Sequence, residues 1–64
     1  MIYIRKRREA LGKTLQQIAD EVGVTFGAIS QYESGLTMPG ADKLPKLAQA
    51  LGCTIDELYR EEVS

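Results

Sequence analysis

A chain of 64 residues with 8 Lys+Arg, 9 Asp+Glu and no His can close one small hydrophobic core and leaves no room for a deep catalytic cleft. Its one cysteine, Cys53, excludes an internal disulfide, and with no His and no second Cys there is no metal-ligand pattern. Enzymatic activity is not expected, and no catalytic residue, metal or cofactor is assigned.

The longest apolar runs are a few residues, so neither a signal peptide nor a membrane span is expected, and the cytoplasm is the expected location. No repeats, linkers or low-complexity segments interrupt the chain, which reads as one domain over residues 1–64. The formal net charge of −1 conceals a division along the chain. Residues 1–13 carry five cations (Arg5, Lys6, Arg7, Arg8, Lys13) against Glu9, a balance of +4, whereas residues 14–64 carry three cations against eight acids, a balance of −5. A basic beginning can meet phosphate while the acidic remainder faces away; the alternative is an ordinary solvated helix face.

In chain order, the pattern predicts an all-α chain of five helices at about 2–11, 15–22, 26–34, 44–51 and 55–60. In the first, Ile4 and Leu11 lie seven apart with Arg8 between them on the same face. An inward arginine needs a partner, because an unpaired buried charge costs several kcal/mol. Glu33, four residues after Ile29, is the candidate, giving a structural Arg8 to Glu33 ion pair. Gly12 ends this helix and Lys13 leads into Thr14.

The stretch Thr14 to Gly35, TLQQIADEVGVTFGAISQYESG, is the centre of the pattern. Thr14 and Gln17 form a capping box, Ile18, Ala19 and Val22 make the buried stripe, and Gly23 leaves the helix. After a three-residue turn, Gly23-Val24-Thr25, Thr25 caps the next helix, and Val24 and Ile29 hold the staple positions. Two short helices joined so tightly must cross steeply, as in a helix-turn-helix unit. Ile29, Tyr32 and Glu33 look inward; Phe26, Gly27, Ser30, Gln31 and Ser34 form the outward stripe. Pro39 and Gly40 break the following loop. Pro45 suits the first turn of the fourth helix, whose buried stripe is Leu44, Leu47, Ala48 and Leu51. Gly52 closes it. Thr54 and Glu57 make a second capping box that opens a helix with Ile55, Leu58 and Tyr59 as apolar positions. Residues 61–64 are expected to fray.

The run IADEVGVTFGAISQYESG, a Pro-containing loop and then KLPKLAQALGCTIDEL resemble the lambda-repressor-like domain of the Cro/XRE family of transcriptional regulators, over roughly Ile4 to Tyr59. The resemblance implies five helices, the second and third forming the helix-turn-helix. It further implies a third helix that enters the major groove of double-stranded DNA, from a two-fold dimer on a palindromic operator. A bacterial or phage repressor, in the cytoplasm and on the nucleoid when bound, is the expected source. No membrane and no small-molecule ligand is expected.

On this resemblance, Phe26, Gly27, Ser30 and Gln31 occupy the base-contacting stripe, with Gln31 suited to bidentate pairing with adenine. Thr14, Gln16, Thr25, Ser34, Lys13, Lys43 and Lys46 are the candidates for phosphate. Three positions depart from the family pattern. Leu15 stands where a polar residue usually follows the cap, and Leu36 and Met38 stand where relatives carry cations. Few phosphate contacts imply weak monomer binding, so a homodimer through Tyr59 and Val63 is expected. The apolar set Phe26, Leu36 and Met38 leaves a second possibility, a protein-interaction module of the same fold, antitoxin or antirepressor-like.

Overall fold

In the computed structural model, which describes residues 2–60, five helices follow one another: α1 (Arg5–Ala10), α2 (Leu15–Val22), α3 (Phe26–Ser34), α4 (Leu44–Ala50) and α5 (Ile55–Leu58). No strand occurs among the described residues. Val63 and the rest of residues 61–64 lie outside them. Helix α2 packs against both α3 and α4, and α4 against α5.

The first helix is shorter than its sequence pattern suggests. Ile2 and Ile4 are both buried with half-buried Tyr3 between them, a period-2 spacing that no single helical stripe can bury. The Tyr3 N–H donates to the Leu58 carbonyl at 2.8 Å, which ties this segment to α5. Helical bonding starts only with the Arg8 N–H donating to the Ile4 carbonyl, and no side chain caps it. Leu11, expected to face inward, is 48% exposed, because the helix ends at Ala10 and the chain turns away through Gly12. Its place beside Ile4 is taken by Arg7, three residues on. Arg7 is buried, and its Nη2 donates to the Glu57 carbonyl at 2.8 Å. An arginine thereby satisfies a carbonyl at the end of the short α5.

Helix α2 follows its sequence signals closely. Thr14 Oγ1 accepts from the Gln17 N–H at 3.1 Å, and Gln17 Oε1 accepts from the Thr14 N–H at 2.7 Å. Ile18, Ala19 and Val22 are buried. Gly23 adopts φ 83°, in the left-handed region open to glycine, and the Ala19 carbonyl accepts from both the Gly23 and Val24 N–H groups. These two hydrogen bonds close the turn, and Ala19 beneath it is fully buried.

Leu47, Ala48, Ala50 and Leu51 of α4 and its C-cap, with Leu58 of α5, complete the core. Each fully buried leucine or isoleucine contributes about 1.5–3 kcal/mol of apolar transfer. Helix α5 ends at Leu58, two residues before its expected limit, and α4 ends one residue early at Ala50. Leu58 is buried, whereas Ile55 and Tyr59, also read as apolar positions, are exposed.

Candidate nucleic-acid interface

Helix α3 is fastened from behind and open in front. Thr25 Oγ1 accepts from the Ala28 N–H at 3.1 Å, fixing the first turn, and Ile29 is buried in the core with half-buried Tyr32 beside it. The Glu33 side chain is only 6% exposed, and both its oxygens are used. Oε2 accepts from Arg8 Nε at 3.0 Å and Oε1 from Arg5 Nε at 3.1 Å. Arg8 also donates through Nη1 to the Lys13 carbonyl at 3.0 Å. One carboxylate thus joins two arginines of α1 to the last turn of α3. Arg5 belongs to this cluster by its spacing, three residues before Arg8 on the same helix, a signal present in the sequence.

The outward stripe is divided by exposure. Phe26 is 51% exposed, Gly27 and Gln31 are exposed, and Ser30 is half-buried at the edge of the stripe. The Gln31 amide has no hydrogen-bond partner among the described residues, so both its donor and its acceptor face solvent. Ser34 turns its hydroxyl back to the Gln31 carbonyl at 3.1 Å. Beyond α3, Leu36 is 73% and Met38 48% exposed.

The residues expected at phosphate are scattered by the structure. Thr14 and Thr25 are occupied as caps, and Gln16 Nε2 donates to Asp20 Oδ1 at 2.9 Å. Lys13 reaches the opposite end of α2. Its Nζ donates to Glu21 Oε1 at 2.9 Å and to the Ala50 carbonyl at 3.0 Å. Lys46 lines a shallow groove with that same Glu21, together with Gln49 and Ala50. Lys43 stands 4.0 Å from Asp42. Glu21 lies about 9 Å along the helix axis from the first residue of α2, so Lys13 and Lys46 gather away from the Thr14 end.

No group of three or more His, Cys, Asp or Glu among the described residues could hold a metal ion. Burial pushes the half-buried Cys53 thiol above its ordinary range, Arg7 opposing this in smaller measure, so the group is held as thiol. No helix of the described residues is long and apolar enough to cross a membrane. Glu57 is held below the usual carboxylate range chiefly by the hydrogen bond that its Oε1 accepts from the Thr54 N–H at 2.9 Å, with the nearby Thr54 side chain adding to it.

Residues 4–58 match the helix-turn-helix family. The chain belongs to the helix-turn-helix family of Cro/C1-type regulators. It is 42% identical over 55 residues to the cryptic phage CTXphi transcriptional repressor RstR of Vibrio cholerae, covering 86% of this chain and 49% of that protein. It is 38% identical over 61 residues to repressor protein C2 of Salmonella phage P22, covering 95% of this chain and 28% of that protein. The chain therefore spans half or less of the length of these relatives. Among solved structures, the P22 c2 repressor in complex with synthetic operator 9T superposes with a TM-score of 0.85 at 37% identity, over 92% of this chain and 89% of that one. The solution structure of the P22 c2 DNA-binding domain gives a TM-score of 0.87 at 38% identity, covering 95% and 80%. The five-helix lambda-repressor-like architecture of this family is the fold described above.

Proposed function

We propose that residues 1–64 form the DNA-binding unit of a transcriptional repressor, which binds double-stranded DNA sequence-specifically with α3 in the major groove and acts as a homodimer on a palindromic operator. The observation that carries this is the division of α3. Ile29 and the Glu33 carboxylate hold it rigidly from behind, while Phe26, Gly27 and the Gln31 amide are left open in front. A related chain superposing over nearly its full length is a repressor bound to a synthetic operator, which supports the same partner here.

In this reading Gln31 pairs with adenine N6 and N7, Phe26 gives apolar contact, and Ser30 touches the rim. One phosphate is held at the start of α2 by backbone N–H groups near Gln16, and Ser34, Thr25, Lys43 and Lys46 meet other stretches of the sugar-phosphate backbone. Lys13 stays with Glu21 and the Ala50 carbonyl and is not one of them. Exposed Ile55, the first residue of α5, and exposed Tyr59, its C-cap, form the dimer patch among the described residues. The repressor then works in the cytoplasm of a bacterium or of a phage host.

Exposed Phe26, Leu36 and Met38 favour one other reading, docking of a protein on the same side. Selection of bound fragments from random duplexes separates the two. A palindromic consensus, lost on Gln31→Ala, is the expected result. No enrichment even at low salt would support the protein partner instead.

A further inference from the structure

We propose that α1 is the strut that sets where α5 lies relative to α3, and that Arg7 is the positioning residue at its α5 end. The inference rests on the dimeric DNA-binding reading above and adds to it the link that fixes the separation of the two reading helices.

Helix α5 has four residues, too few to be stable alone. Its shape is made locally. The Thr54 and Glu57 capping box closes its start, and the Tyr59 and Arg60 N–H groups donate back to the Asp56 and Glu57 carbonyls, each at 3.1 Å. Its place is made elsewhere. Leu58 is its one buried residue, a single anchor about which so short a helix can pivot. Two bonds from the start of the chain remove that freedom. The Tyr3 N–H donates to the Leu58 carbonyl at 2.8 Å, and Arg7 Nη2 donates to the Glu57 carbonyl at 2.8 Å. Buried Ile2 and Ile4 seat the first donor, and Arg7, the donor of the second, is itself buried.

The same six-residue helix also holds α3. Arg5 and Arg8, three apart on one face, close on the two Glu33 oxygens, whereas Arg7 between them reaches the Glu57 carbonyl. Charge-assisted hydrogen bonds at both ends of α1 therefore join α3 to α5, in addition to the packing that runs through α2 and α4. In a two-fold dimer built on Ile55 and Tyr59, any tilt of α5 displaces the α3 of one copy from that of the other. Half-sites one helical turn apart need the two α3 helices about 34–36 Å apart. A loose α5 thus costs affinity on the whole operator and none on one half of it.

The test uses the full chain and four duplexes: the palindrome it selects, one half-site alone, and the palindrome with one base pair inserted or removed at its centre. The parent should bind the palindrome about tenfold or more tightly than either respaced duplex. Arg7→Met should bind the half-site within about twofold of the parent. On the palindrome it should lose about tenfold, and its preference over the respaced duplexes should shrink by a similar factor. A synthetic chain with an ester in place of the Tyr3 amide lacks only that N–H and should show the same pattern in smaller measure; if Arg7→Met does not fold, this chain decides. An equal loss on half-site and palindrome would overturn the proposal, since the contact would then serve only the fold. So would an unchanged spacing preference. If the parent itself binds half-site and palindrome equally, the dimer reading falls and this inference with it.

Discussion

Replacing Arg8 with Met leaves the Glu33 carboxylate in a site where its side chain is 6% exposed, with Arg5 as its remaining arginine contact. The two arginines are not equivalent. The Arg8 side chain is 15% exposed and the Arg5 side chain 67%, so the Arg5 contact is screened by water and holds Glu33 weakly. Breaking one partner of a buried pair costs about 3–5 kcal/mol. Residual help from Arg5 lowers that figure, while loss of the Arg8 Nη1 bond to the Lys13 carbonyl raises it. A destabilisation of about 3 kcal/mol is expected, equivalent to roughly 12–24 °C in melting temperature for a chain of this size. Arg5→Met should cost at most about 1 kcal/mol. Replacing both Arg8 and Glu33 by apolar residues should recover much of the loss, since no buried charge is then left over. Urea unfolding of the parent, the two single variants and the double variant measures all of this. Arg8→Met within about 1 kcal/mol of the parent, or Arg5→Met as harmful as Arg8→Met, would refute the pairing as the anchor of α3.

Three further outcomes follow from particular contacts. Lys13→Met removes the bonds to Glu21 and the Ala50 carbonyl and should destabilise by about 1 kcal/mol, yet leave the salt dependence of DNA binding unchanged; a lysine on phosphate would instead lower the slope of log K against log salt by about 0.9. Because the Glu57 carboxyl is held below its ordinary value of 4.5, its contribution to stability is present above that value and is lost as the pH falls through the lowered one. Melting temperature measured on the acid side should therefore fall less steeply for Glu57→Gln than for the parent. Ala19→Leu overpacks the site under the α2–α3 turn and should cost about 1–3 kcal/mol or more by thermal melting.

The capped elements were legible because their signals are local. Thr14 with Gln17, Thr25, and Thr54 with Glu57 each specify a helix start through bonds three residues apart, and each start falls where the sequence places it. The first helix carries no such cap, and the alternation of Ile2 and Ile4 is too short to outweigh a run of good helix formers, so its beginning was misplaced. Arg7 escaped for a different reason. Its burial depends on the Glu57 carbonyl, fifty residues away, and no periodicity reports a backbone acceptor. The lysines show the same limit. Lys13 precedes Thr14 in the chain, but its long stem carries the ammonium to the far end of α2, a choice made by Glu21 and Ala50 together.

The most direct test of the central claim, that the open face of α3 lies in a duplex groove, is an amide chemical-shift titration of the ¹⁵N-labelled chain with the selected duplex. Shifts should concentrate on the amides of α3 from Phe26 to Ser34 and on the first turn of α2, with the buried face of α4 unchanged. Perturbations confined to α5 and the α1 surface, with Phe26, Gly27 and Gln31 unaffected, would contradict it.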